Sequence, residues 1–292
     1  MPPTLLLAGA SGALGRAIAA HLPTTALVRD QGPGPGPRWS TESGVIDGVP
    51  EPVAAVLCAA GAPLLSPAGL RSVEPSLRAH RQLADWIAAR GRRPSVFISL
   101  SSARVFGEQG EALLDEDSPG GADPVARAWA EQEAAAAAVE AVGVRAVILR
   151  LGLVMHPGLG LLHRLGPALR HGLLGPWGGG RQWLPWVGLN DVLRVTELAL
   201  HHEELRGVLH LVAPGQLRQG QWAAALREAA GHPRRPGLPL PAAALRRALA
   251  PADVDGLLLQ SRRLRPTALL DLGYSFAQPE LVAAVAPLLP RG

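Results

Sequence analysis

The first apolar run of the chain, Leu5 to Ala8, has the length of a buried strand and opens directly into glycines spaced G-x-x-G-x-x-G at Gly9, Gly12 and Gly15. A helix-like segment, Arg16–Leu22, follows at once, and Thr25–Arg29 reads as a second strand. Gly32-Pro-Gly-Pro-Gly-Pro37 then forbids a helix, so a loop is expected in place of the next crossover, with a short strand at Val45-Ile46. Val53–Ala60 and Ser95–Ser99 have the unbroken apolar character of strands buried on both faces, and a helix from about Val73 to Arg90 separates them. A long helix over Asp123–Val142 leads to a strand at Val144–Leu149. This alternation predicts an α/β fold, a doubly wound parallel sheet of Rossmann type, with its site at the carboxyl ends of the strands.

From Gly152 the pattern changes. Leu174–Asp191 is rich in Gly and Trp and too irregular for a helix, with Asn190-Asp191 placed to cap a helix running to His201. A last strand at Gly207–Val212 is followed by helical stretches near Gln221–Ala230, Pro241–Leu249 and Asp253–Leu259, between Pro-rich turns. The expected organisation is a nucleotide-binding domain over 1–155 and a small, mostly helical lobe over 156–292. The strand near 207–212 is expected to return to the main sheet.

The glycine spacing carries chemistry because of where it falls, between a strand and a helix. Gly9 allows a tight turn, Gly12 a bare backbone for close approach of a pyrophosphate, and Gly15 close helix–strand packing. The diphosphate would sit on the helix N-terminus, where N–H groups and the helix dipole favour negative charge. Gly9, Ser11, Gly12, Ala13, Leu14 and Gly15 are therefore the expected cofactor residues, with Ala60 and Gly61 letting its adenine side pass. The second strand ends in Arg29, where an acid would grip the ribose hydroxyls of NAD. A guanidinium neutralises a 2′-phosphate instead, which points to NADP(H), although Asp30 follows directly.

Composition removes several alternatives. All 28 basic residues are Arg, so the basic pI reflects a lack of groups titrating between His and Arg rather than a large charge; the net charge is only +4. Arg246-Arg247 and Arg262-Arg263-x-Arg265 read as solvated faces, and no nucleic-acid partner is expected. The single Cys58 lies in an apolar run and reads as a small core hydrophobe. His201-His202 point to different helix faces, so no metal site is expected. No leader or membrane-length apolar stretch is visible, and a cytoplasmic protein without a membrane partner is expected. The helices at 73–90 and 123–142, the latter with its run Ala134–Ala138, are the expected seam of a homodimer.

The segments GASGALG (Gly9–Gly15), LVRD (Leu27–Asp30), ISLSSARVFG (Ile98–Gly107), VILRLGLV (Val147–Val154), GGRQWLPW (Gly179–Trp186), LVAP (Leu211–Pro214) and SRRLRP (Ser261–Pro266) together resemble, nearly end to end, an atypical subgroup of the extended short-chain dehydrogenase/reductases. This is the "epimerase family" with a C-terminal domain of unknown function, within the NAD-dependent epimerase/dehydratase-like proteins. In conventional members the resemblance implies a serine that orients a carbonyl and a Tyr-x-x-x-Lys pair that moves its proton, a pair that the subgroup generally lacks. Ser102 stands at the serine position, with Ser101 beside it, but Val125 and Trp129 stand at those of Tyr and Lys. No lysine exists in the chain, and its one tyrosine is Tyr274. Three further polar positions of the subgroup are replaced here, by Val105-Phe106, Ala62 and Gly188.

The resulting expectation is an NADP(H)-binding oxidoreductase or epimerase-like protein acting on a small polar substrate. Ser102 would act on it, and Arg181, Gln182, Trp183 and Trp186 would form its pocket, three Trp among glycines making a flat wall with one polar anchor. A packed loop is the other reading of that segment. His156 is the alternative proton carrier, or a turn residue. The missing pair supports a second reading, a non-catalytic NADP(H) sensor or regulatory protein.

Overall fold

The computed structural model describes residues 4–30, 32, 34–61, 73–248 and 254–289. Strand β1 (Thr4–Ala8) leads through α1 (Ala13–His21) to β2 (Thr25–Arg29), followed by the short β3 (Arg38–Trp39) and β4 (Ile46–Asp47) and then β5 (Val53–Cys58). Helix α2 (Glu74–Ala88) precedes β6 (Val96–Ser102); after the two-residue β7 (Leu113–Leu114), α3 (Pro124–Ala137) precedes β8 (Arg145–Leu151). The main sheet has eight strands in the order β13-β8-β6-β5-β1-β2-β3-β4, where β13 spans Gly207–Leu211. All its pairings are parallel except β3 with β4.

Alternation along β1 explains why its sequence is apolar throughout. Leu5 and Leu7 pack on the face covered by α1 and by α5 (Leu189–His201), with Ile18, Val192 and Val195. Leu6 and Ala8 pack on the opposite face with Leu83 and Ile87 of α2 and Ala136 of α3. A sheet covered on both sides has no place for a polar face. The connection from β2 to β3 is the expected Pro/Gly loop. Strand β4 falls one residue later than expected, since Ile46 is buried and Val45 is 51% exposed. Strand β3 is an addition, held by buried Trp39, whose indole N–H donates to Gln82 on α2 at 3.0 Å.

The C-terminal region is mostly helical, as expected, including a helical segment at Val254–Leu259. Besides α4 (Gly160–Arg170), α6 (Gln219–Ala229), α7 (Ala242–Ala248), α8 (Thr267–Asp271) and α9 (Leu281–Val285), it contains small ribbons. These pair β9 (Leu153–Met155) with β12 (Trp186–Gly188), β10 (Leu174–Trp177) with β15 (Leu238–Leu240), and β11 (Trp183–Leu184) with β14 (Leu217–Arg218). A further pair joins β16 (Arg263–Leu264) to β7. Trp177, Trp186 and Trp222 centre this region's core, and the Trp177 and Trp222 rings lie 5.4 Å apart. Asn190-Asp191 does not cap α5: Gly188 is the N-cap, without a side-chain bond. The Asp191 carboxylate, fully buried, instead accepts from Tyr274 Oη (2.8 Å) and the backbone N–H groups of Ala277 (2.7 Å) and Gln278 (2.9 Å), clamping the C-terminal segment to α5.

Candidate active site: a cleft at the switch point of the sheet

Strand order reverses between β1 and β5, because the chain runs from β1 outward to β4 and then returns to the other side of β1. The loops after these two strands therefore diverge and leave a crevice at the carboxyl edge. A cleft of about 560 Å³ occupies this place. Its near end is the glycine turn. Gly9 has φ +88°, and a Cβ there would come within 2.5 Å of the Ala59 carbonyl carbon; a Cβ on Gly15 would overlap the Gly9 carbonyl oxygen. Gly12 is the N-cap of α1 with no side chain capping it, and residues 12–16 line the cleft. Ser11 is exposed beside them, its carbonyl taking a hydrogen bond from Arg16. Ala59, Ala60 and Gly61 form the facing wall.

The far end is built by β6, β8 and the C-terminal region. Ser101 and Ser102, closing β6, both line it. Ser102 Oγ accepts from the Arg104 N–H at 3.3 Å and so starts the helical turn Ala103–Phe106. Ser101 Oγ donates to Glu133 of α3 at 2.6 Å, and Glu133 is held by Arg150 of β8 at 2.8 Å in a buried ion pair. Trp129, one turn before Glu133, presents its indole to the cleft. Behind β6, His80 donates from Nδ1 to the Ser76 carbonyl (2.7 Å), and its Nε2 faces Ser99 Oγ (2.9 Å) and Gln132 Nε2 (2.6 Å). Burial pushes His80 down to about 4 and the neighbouring Cys58 thiol up to about 12, so the first stays neutral and the second unreactive. The opposite wall is supplied by Leu184, Pro185, Leu257, Arg262 and the start of α4.

The chain matches the model of the NAD dependent epimerase/dehydratase family over residues 49–210. This chain belongs to that family. It is 29% identical to human epimerase family protein SDR39U1, covering 98% of this chain and 99% of the relative. It is likewise 29% identical to epimerase family protein ML0860 of Mycobacterium leprae, over 92% and 90%. The crystal structure of human SDR39U1 with NADPH superposes with a TM-score of 0.86 at 28% identity, covering 98% and 99% of the two chains. UDP-glucose 4-epimerase of Thermotoga maritima shares the fold, with a TM-score of 0.71 at 17% identity over 96% and 97%.

Within this family member, the glycine turn, Ala60, Gly61 and Ser102 meet in one cleft. Arg29 stands outside its lining, exposed at the carboxyl end of β2 beside β1. Val125 is buried and Trp129 occupies the cleft wall, while Tyr274 is engaged with Asp191. Ala62 lies outside the described residues. The four expected pocket residues are not brought to the cleft. Arg181 is exposed, its carbonyl accepting from Arg218 at 2.7 Å, and Gln182 Nε2 donates to the carbonyls of Leu258 (2.9 Å) and Trp177 (3.3 Å). Trp183 donates to Glu111 at 3.0 Å and stacks with the guanidiniums of Arg218 and Arg263, each 4.6 Å from its ring centre. Trp186, 1% exposed, donates to the Gly215 carbonyl at 2.8 Å. Trp183-Leu184 and Trp186–Gly188 are paired strand, and this pairing places Trp183 at the surface and Trp186 in the core, leaving Leu184 and Pro185 on the cleft.

Arg262 does not lie on the solvated face expected for it but in the cleft wall, and His163 and Arg164 of the cleft were not singled out by the sequence. Arg262 is 2% exposed and donates to the carbonyls of Gly256 (2.7 Å) and Leu257 (3.3 Å); burial, then neighbouring Arg104, push it down to about 10. His163 and Arg164 come from α4, a helix outside the elements expected from the sequence. The spacing Leu161, Leu162, Leu165, Leu169 was the available signal. His156 does not line the cleft: its Nδ1 accepts the Gly158 N–H at 3.1 Å within a turn.

Proposed function

We propose that this family member is an NADP(H)-binding oxidoreductase or epimerase-type enzyme for a small polar substrate, working without a Tyr–Lys pair. The observation that carries this reading is one continuous cleft running from the glycine turn past Ser102 into the C-terminal region. Its near end fits a dinucleotide: the turn leaves no space for side chains, and the start of α1 has no side-chain cap. Gly9, Ser11, Gly12, Ala13, Leu14 and Gly15 would hold the diphosphate, Ala60 and Gly61 the adenine side, and Arg29 the 2′-phosphate. NADPH in the human SDR39U1 crystal supports the same cofactor. The bound cofactor supplies reversible hydride transfer at its nicotinamide. Ser102 orients the substrate oxygen, and Trp129 and Leu184 keep water from it.

A guanidinium–phosphate pair contributes about 1.5–3 kcal/mol. NADPH is therefore expected to bind about 10-fold or more tighter than NADH, and Arg29→Ala to remove that preference. Equal affinities in calorimetry, or an unaltered preference in Arg29→Ala, would count against the NADP(H) assignment.

The replacement of Tyr and Lys by Val125 and Trp129 favours a second reading, a redox sensor that binds NADP(H) without turnover. The placement of Arg181–Trp183 outside the cleft withdraws one argument for an enzyme. Oxidation of NADPH by the purified protein across a panel of aldehydes, ketones and quinones separates the two readings. An enzyme oxidises it with some member and slows in Ser102→Ala; a sensor binds NADPH and leaves it reduced throughout.

A further inference from the structure

The cleft lacks the tyrosine that would deliver a proton, and its lining determines what can replace it. Among the described residues lining it, none is Asp, Glu, Cys or Tyr. Glu133 lies behind Ser101 and is tied to Arg150. Serine hydroxyls do not titrate near neutrality, and guanidinium groups stay protonated there. That leaves His163, whose imidazole can both give and take a proton.

The position of His163 also suits proton delivery. It sits in the first turns of α4, exposed at the edge of the cleft, with Nδ1 3.1 Å from the Pro157 carbonyl. A carbonyl can only accept, so Nδ1 donates in this contact and Nε2 is the ring nitrogen left free to meet a substrate oxygen. Exposure lets Nε2 exchange with solvent between turnovers.

Resting on the oxidoreductase reading, we propose that His163 is the general acid and base of this cleft, acting on a carbonyl or alcohol oxygen. In the reducing direction, His163 gives its Nε2 proton to the carbonyl oxygen while a hydride from the reduced nicotinamide dinucleotide reaches the carbonyl carbon. The π pair of C=O becomes the bond to that proton, so an aldehyde or ketone is reduced to an alcohol. The dinucleotide is oxidised, and the imidazole regains its proton from solvent. Ser102 positions the same oxygen.

Two readouts test this on the full chain. In NMR of protein labelled at histidine Cε1, the line missing from His163→Gln should shift when NADP+ is added to saturation, while the line of His232, bonded to the Arg170 carbonyl outside the cleft, stays in place. A His163 line that does not move at saturation confirmed by calorimetry overturns the proposal. In NADPH oxidation with p-nitrobenzaldehyde and the carbonyl panel, His163→Gln should lose about 100-fold or more in kcat with its NADPH affinity kept, and added imidazole should partly restore His163→Ala. His156→Gln should keep the parent rate. A His163→Gln rate equal to the parent's overturns the acid assignment alone. Binding of NADPH with no turnover of the whole panel by the parent protein overturns the oxidoreductase reading and this proposal with it.

Discussion

A methyl group at Gly15 would overlap the Gly9 carbonyl oxygen, and neither backbone can yield without moving β1 against α1. Gly15→Ala is therefore expected to lower stability by about 1–3 kcal/mol and to weaken NADPH binding, read by urea unfolding and by calorimetry. Tyr274 is a clamp rather than a proton carrier, since its hydroxyl donates to buried Asp191 and its pKa is pushed up by burial and by that carboxylate. Tyr274→Phe removes one of the two hydrogen bonds to Asp191 Oδ1, the Ala277 N–H remaining, for a loss of about 1–2 kcal/mol. Its NADPH affinity and any turnover should be unchanged; loss of turnover in a folded Tyr274→Phe protein would contradict this placement.

At the scale of elements, the tryptophans divide by where strand and helix periodicity sends them. Trp129 faces the cleft from α3, whereas Trp183 lies on the outer face of the β11–β14 ribbon and Trp186 in the core. Energy transfer from tryptophan to bound NADPH should fall most in Trp129→Phe. Trp183→Phe should behave like the core control Trp222→Phe; a dominant loss in Trp183→Phe would restore that segment to the cofactor's surroundings. The ion pair between α3 and β8 is the other element-scale device. Arg150 donates to both Glu133 oxygens, at 2.8–3.2 Å, and to the Glu116 carbonyl at 3.2 Å. Removing one partner strands the other charge, so Glu133→Ala should cost about 3–5 kcal/mol in chemical denaturation.

For the whole molecule, two buried histidines set an acid limit. Burial lowers His80 and His210 from an ordinary 6.5 to about 4, so between these values the unfolded chain binds protons that the native state does not. Stability therefore rises with pH across this window and is lost as pH falls from 6.5 towards 4. The full effect is about 3 kcal/mol for each group at most. His80→Gln should flatten the slope of unfolding free energy between pH 4 and 6.5; an unchanged slope would show that His80 does not titrate on unfolding.

The sequence alone determined the sheet and the glycine turn. A strand buried on both faces must be apolar at every position, as Leu5–Ala8 and Val53–Cys58 are, and a turn without room for Cβ must be glycine, as at Gly9 and Gly15. Those constraints are local, so they are visible in single residues. The far side of the cleft was decided by tertiary structure. Whether Trp183 or Leu184 meets the cleft depends on pairing of β11 with β14, tens of residues away, and one residue of register exchanges the two faces. Arg262 enters from nearly the end of the chain, and His163 from α4. Their meeting with Ser102 in one cleft is a property of long-range packing, which no local pattern of residues encodes.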